Sequence, residues 1–153
     1  MHNSYKLAII YFIFFSLLLL ISAFMLFEYK LGFDAKSISH YYLGNELTYT
    51  QPKTISGLLK VVYPHIFSIG LLGMVLLHFI YFTSFRRTKM FKYLIVGAYT
   101  TFFVEIVSPF FLLLDIKVFA TIKLISFILM FILFISMFWI ILHSIVTQKN
   151  QQV

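Results

Sequence analysis

Residues 63–84, YPHIFSIGLLGMVLLHFIYFTS, are apolar almost from end to end, yet they carry two histidines, His65 and His78. From Pro64 to Thr83 the run is about 20 residues, or roughly 30 Å as a helix, the thickness of a bilayer's hydrocarbon core. Pro64 suits the first turn of such a helix, where its missing N–H removes no bond. A membrane-crossing helix is the reading, and it decides the class of fold.

The rest of the chain agrees. Its 153 residues are 61% hydrophobic and 11% charged, against about 25% charged in ordinary soluble domains. A soluble fold of this size has too little interior for that much apolar surface. Three further apolar runs have the length of spans: about residues 7–27, 93–114 and 124–146. The first exceeds the roughly 7–15 apolar residues of a cleaved signal peptide and has no small-residue cleavage site after it, so it reads as an uncleaved anchor. The expectation is an all-α membrane protein: one integral membrane domain over residues 1–153, a four-helix transmembrane bundle with a long extracytoplasmic loop between the first two spans.

That loop is not featureless. In YKLGFDAKSISHYYLGNE, Asp34 is placed to cap a short helix over residues 35–43 and Gly44 to stop it. Ile38, Tyr41 and Tyr42 would then share a face suited to lying on the membrane. The segment SGLLKVV, residues 56–62, reads either as a second surface helix or as the bent start of the second span. In the third span Pro109 removes the N–H that would bond the carbonyl of Glu105.

The formal net charge is +7. The basic residues sit at the ends of apolar runs, so topology and anionic headgroups explain them better than nucleic acid does. Both termini and the turn SFRRTKMFK must share one side. The density of Arg86, Arg87, Lys89 and Lys92 in that turn assigns it to the cytoplasm. The expected location is a bacterial inner membrane with both termini cytoplasmic, the polar tail TQKNQQV included. The chain has no cysteine, which excludes disulfides, thiolate metal sites and iron–sulfur ligation. No phosphate-binding glycine loop, H-E-x-x-H or G-x-S-x-G is present, which speaks against a stand-alone enzyme.

Ionisable groups at membrane depth are expensive, so they normally face the bundle interior and have partners. His65, His78, Glu105 and His143 fall within the four runs; His40 lies in the loop and His2 precedes the first span, where it suggests no role. His78 stands eight residues before Arg86 and His143 six before Lys149, about 12 and 9 Å along their helices. The two imidazoles therefore share a depth in the cytoplasmic half. His65 and His78 point about 140° apart and lie roughly 20 Å from each other, so one ligand cannot take both. Two imidazoles from separate helices at one depth in a dry pocket suit axial ligation of haem b, and Gly70 and Gly73 would admit a porphyrin or another helix. Ala98, Thr101, Glu105 and Ser108 form one polar stripe that should turn inward. Glu105 there fits a proton relay or quinone contact as well as a neutral, hydrogen-bonded carboxyl.

Four spans, a pair His65-x12-His78 on one helix and His143 on a later one resemble the four-helix membrane cytochromes b, among them the small haem-bearing anchors of respiratory complexes. The resemblance covers the second and fourth spans. It implies a haem b held by His78 and His143, with His65 and His40 as outer-side candidates, and redox or other membrane subunits as partners. Two readings stand beside this electron-transfer or membrane-anchor subunit: a cofactor-free accessory or assembly protein, and a proton or small-solute pathway through Glu105. In each the lipid bilayer is a partner and nucleic acid is not.

Overall fold

A computed structural model describes residues 3–46 and 49–149; His2 and the last four residues of the polar tail lie outside them. The described chain is helical: α1 (Asn3–Leu31), α2 (Ala35–Leu43), α3 (Ile55–Tyr81), α4 (Lys89–Leu113) and α5 (Val118–Lys149), with a 3-10 turn at Ser84–Arg87 between α3 and α4. α1, α3, α4 and α5 are long and apolar enough to cross a membrane. The four-span architecture expected from the apolar runs is what the chain adopts.

Ring contacts fix the direction of the packing. Phe12 of α1 meets Phe79 near the end of α3, and Phe27 at the other end of α1 stacks on Phe127 near the start of α5. Successive spans are therefore antiparallel. The start of α1, the α3–α4 turn and the end of α5 share one end of the bundle, the basic end; α2 marks the other. α4 and α5 form the most extensive pair, α3 packs on both, and α1 lies at the periphery against α2 and α5. The centre is filled by Leu76, Phe102, Phe134, Met137 and Ile141.

The helices run beyond most of the apolar runs, and two of their starts and one connection change the sequence reading. α3 starts at Ile55, capped by the Thr54 hydroxyl, which accepts from the Gly57 N–H at 3.1 Å. SGLLKVV is thus the first part of the second span, and Pro64 lies inside the helix rather than in its first turn. Helices in lipid tolerate such a proline when nearby side chains serve the disturbed backbone. The carbonyl left without its helix donor is that of Lys60, four residues earlier, while the carbonyl of Pro64 itself takes the Ser68 hydroxyl at 2.8 Å. α5 starts at Val118, ahead of the apolar run, because residues 114–117 suffice to turn the chain. The expected long loop is also a correction: only residues 32–54 connect α1 and α3, and α2 occupies nine of them.

α2 has the expected bounds and ends. Asp34 Oδ1 accepts from the Ser37 N–H at 2.8 Å. Hydrogen bonds from Ser37, its side chain first, hold the Asp34 carboxyl below its ordinary range. Gly44 follows with φ +82°, and a Cβ there would meet the Thr50 carbonyl at 2.5 Å, so both conformation and space require glycine. The face of α2 does not lie on the membrane. Ile38 and Tyr42 are buried, and α2 packs on α4 and α5, closing the end of the bundle.

Candidate functional site: a buried ion pair between α4 and α5

The inward stripe on α4 is present. Ala98, Thr101, Glu105 and Ser108 are all buried. Opposite them, α5 presents Ala120, Lys123, Ser126, Phe127 and Met130, buried at helical spacing. Glu105 is 3% exposed and Lys123 7%, and the Lys123 ammonium bonds Glu105 Oε1 directly. Ser126 donates to Glu105 Oε2 at 2.7 Å. Both carboxylate oxygens are thus served from α5.

The proline completes the arrangement. Pro109 has no N–H for the carbonyl of Glu105, four residues earlier. Lys123 takes that carbonyl too, with Nζ 2.9 Å from Glu105 O, and the Ser108 hydroxyl donates to it at 3.3 Å. One ammonium therefore neutralises the carboxylate and replaces a missing helix donor. No buried side-chain polar atom among the described residues lacks a hydrogen bond.

By position the cluster lies in the α2 half of the bundle. Lys123 is five residues into α5 and Glu105 eight before the end of α4, about 8 and 12 Å of helix rise. Tyr42 of α2 is close enough to feel it. Burial, then Tyr41 and the Glu105 carboxylate, push the Tyr42 phenol above its ordinary range.

A cavity of about 30 Å³ adjoins the pair, bordered by Glu105, Lys123, Pro109 and, from α3, Val62, His65 and Ile69. A space of this size holds about two waters. His65 is exposed on its outer side. Its Nδ1 lies 2.7 Å from the Val61 carbonyl. A carbonyl only accepts, so Nδ1 carries the proton, and in the neutral ring Nε2 is left as an acceptor. His65, an outer-side candidate in the sequence reading, and Glu105 of the inward stripe border one cavity.

The other histidines lie elsewhere. His78 is exposed, with its ring edge-on to Phe82 at 4.9 Å between centroids. His143 is exposed and lines an opening of about 520 Å³ at the basic end, with Trp139 and Thr83 among its neighbours but without His78. The opening that His143 lines does not bring this pair together. Both histidines are exposed, and the close approach expected at Gly73 is filled by Phe102, whose ring edge lies 2.5 Å from where a Cβ would stand. Gly73 serves helix packing; Gly70 has nothing within 4 Å. His40 rests against Asn45 at 3.2 Å and stays within the α2 segment.

Lys123 and Ser126 are site residues that the sequence reading does not single out, because Lys123 stands just ahead of the apolar run at 124–146. The signal was available: Ala120, Lys123, Ser126, Phe127 and Met130 follow helical spacing, and a lone acid in the facing span needs a basic partner.

A family model for a transmembrane helical domain matches residues 32–152, and the chain belongs to that family. Neither the curated proteins nor the solved structures give a match.

Proposed function

We propose that this member of the transmembrane helical family works through a protonation change at the Glu105–Lys123–Ser126 cluster, with His65 as its port on the α2 side. The observation that carries the proposal is the cavity. A purely structural ion pair gains nothing from a water-sized space, whereas here the space joins the pair to an exposed, titratable ring. A proton taken up at His65 Nε2 passes through cavity water to a Glu105 oxygen. Glu105 becomes neutral, Lys123 keeps its charge and its carbonyl, and the attraction holding α4 to α5 weakens. Towards the basic end Phe102 stacks on Phe134, 4.9 Å between centroids, and the interior beyond is apolar. This supports a proton site open to one side in preference to a channel through the bundle.

Infrared difference spectra of the protein in detergent, recorded between acid and alkaline pH, test the reading. A carboxylic-acid band that appears with acid and is lost in Glu105→Gln is expected, with slower proton uptake in His65→Phe. A Glu105 signal that never changes with pH sinks it and leaves a cofactor-free accessory protein with a static ion pair. The haem b subunit retains one supporting observation, the apolar and aromatic lining beside His143. A haem band in the reduced-minus-oxidised spectrum of purified protein that disappears in His143→Ala would restore that reading.

The orientation belongs to the same proposal: a bacterial inner membrane, with the basic end in the cytoplasm. Because the chain has no cysteine, single replacements report sidedness directly. In intact cells Ser39→Cys on α2 should react with an impermeant maleimide, and Ser84→Cys should react only after the membrane is opened. The reverse pattern inverts the topology.

A further inference from the structure

At the basic end the α3–α4 turn and the last turns of α5 enclose a second kind of surface. Thr83, Ser84 and Thr88 from the turn face His143, Ser144 and Thr147 from α5 across the opening of about 520 Å³. Thr83, Thr88 and Thr147 spend their hydroxyl protons on the carbonyls of Ile80, Phe85 and His143, which leaves Ser84, Ser144 and the His143 ring as donors, and none of the six side chains is acidic. Thr83 and Ser84 also border an adjoining cleft of about 330 Å³ that contains Arg86 and Arg87. Arg86 is braced over the Tyr81 ring at 4.8 Å. Lys89 and Lys92 follow in the sequence, and residues 83–104 include no Asp or Glu. Beside the donors, Phe85, Trp139 and Ile140 give the same opening an apolar wall.

We infer that this opening is a binding site for the phosphate-bearing headgroup of an anionic membrane lipid. Donors and arginines on one side and an apolar wall on the other match a molecule that is anionic at one end and hydrocarbon at the other. Its place at the ends of α3 and α5 matches the depth of a headgroup. Thr88 does not cap α4, since its hydroxyl donates to the Phe85 carbonyl instead. The first-turn N–H groups of α4 thus keep no side-chain acceptor, which adds to the preference for an anion. A free phosphate would use the same donors but would leave the Trp139 wall uncovered.

The site carries its own reporter, because Trp139 is the chain's single tryptophan. The full chain in nanodiscs of phosphatidylcholine is titrated with phosphatidylglycerol, with further phosphatidylcholine, and with inorganic phosphate, and tryptophan emission is read. A saturable change with phosphatidylglycerol alone is expected. In Arg86→Gln/Arg87→Gln the midpoint should rise roughly 25-fold, at about fivefold for each basic residue near the surface. Lys36→Gln/Lys60→Gln, at the opposite end, should leave it unchanged. Equal responses to the two lipids, or a midpoint indifferent to the arginines, overturn the site. A full response to inorganic phosphate overturns the lipid as its occupant. Circular dichroism of each variant confirms that the helices are intact, and Ser144→Phe, which fills the opening while keeping the arginines, should abolish the response.

Discussion

Lys123→Met is expected to destabilise the bundle by about 3–5 kcal/mol, the range for stranding one member of a buried ion pair. The substitution keeps the length and much of the volume of the side chain, so the loss is electrostatic. It leaves Glu105 Oε1 and the proline-freed carbonyl of Glu105 without the donor that now serves both. Ser126 and Ser108 remain as partial partners, which places the effect nearer the lower bound. The double variant Glu105→Gln/Lys123→Met should recover most of the loss, because removing both charges also removes the desolvation penalty. Unfolding by a denaturing detergent, followed by helix content, measures all three proteins. A single variant as stable as the native chain would show that the ammonium does not hold α4 to α5. A double variant as weak as the single would place the energy in the carbonyl bond and not in the ion pair.

The second large effect is expected where two glycines of one helix turn part company. Gly73→Ala should cost about 1–3 kcal/mol, as overpacking of a close contact does. Its new methyl would stand 2.5 Å from the Phe102 ring edge, and that ring is stacked on Phe134 inside the core. Gly70→Ala, with nothing within 4 Å, should fall within about 0.5 kcal/mol of the native protein. The same detergent unfolding compares them. Equal effects would mean that α3 does not rest on α4 through Gly73.

Local chemistry made much of this legible. Asp34 and Gly44 bound α2 through caps that depend on a few neighbouring residues, so a sequence displays them. The stripe from Ala98 to Ser108 and the carbonyl freed by Pro109 follow from helical geometry alone. The orientation of α3 was not legible, because a helix that is apolar on every side does not announce which side is buried. His78 shares its face with Phe67, Leu71 and Met74, all exposed, while Ile69, Leu72, Leu76 and Ile80 turn inward. Matching His78 and His143 by depth therefore said nothing of direction. Pro64 misled for another reason. Proline is favoured in a first turn without being confined to it, and the Thr54 cap that starts α3 lies ten residues earlier. Lys123 was hidden by the edge of the apolar run, since a helix extends as far as its backbone bonds do and not only as far as its hydrophobic residues.

Glu105 O and Glu105 Oε1 are held by one ammonium, and that shared grip ties a mechanical property to a chemical one. Proline leaves α4 with a gap in its ladder at Glu105, the kind of place where a helix bends. Bending there changes the distance from Lys123 to the carbonyl, and through the same nitrogen the hold on the carboxylate. By reciprocity, whatever loosens the ammonium from the carboxylate changes the free energy of bending α4 by the same amount. The bend of α4 and its attachment to α5 thus meet at a single joint, and neither can be adjusted without the other.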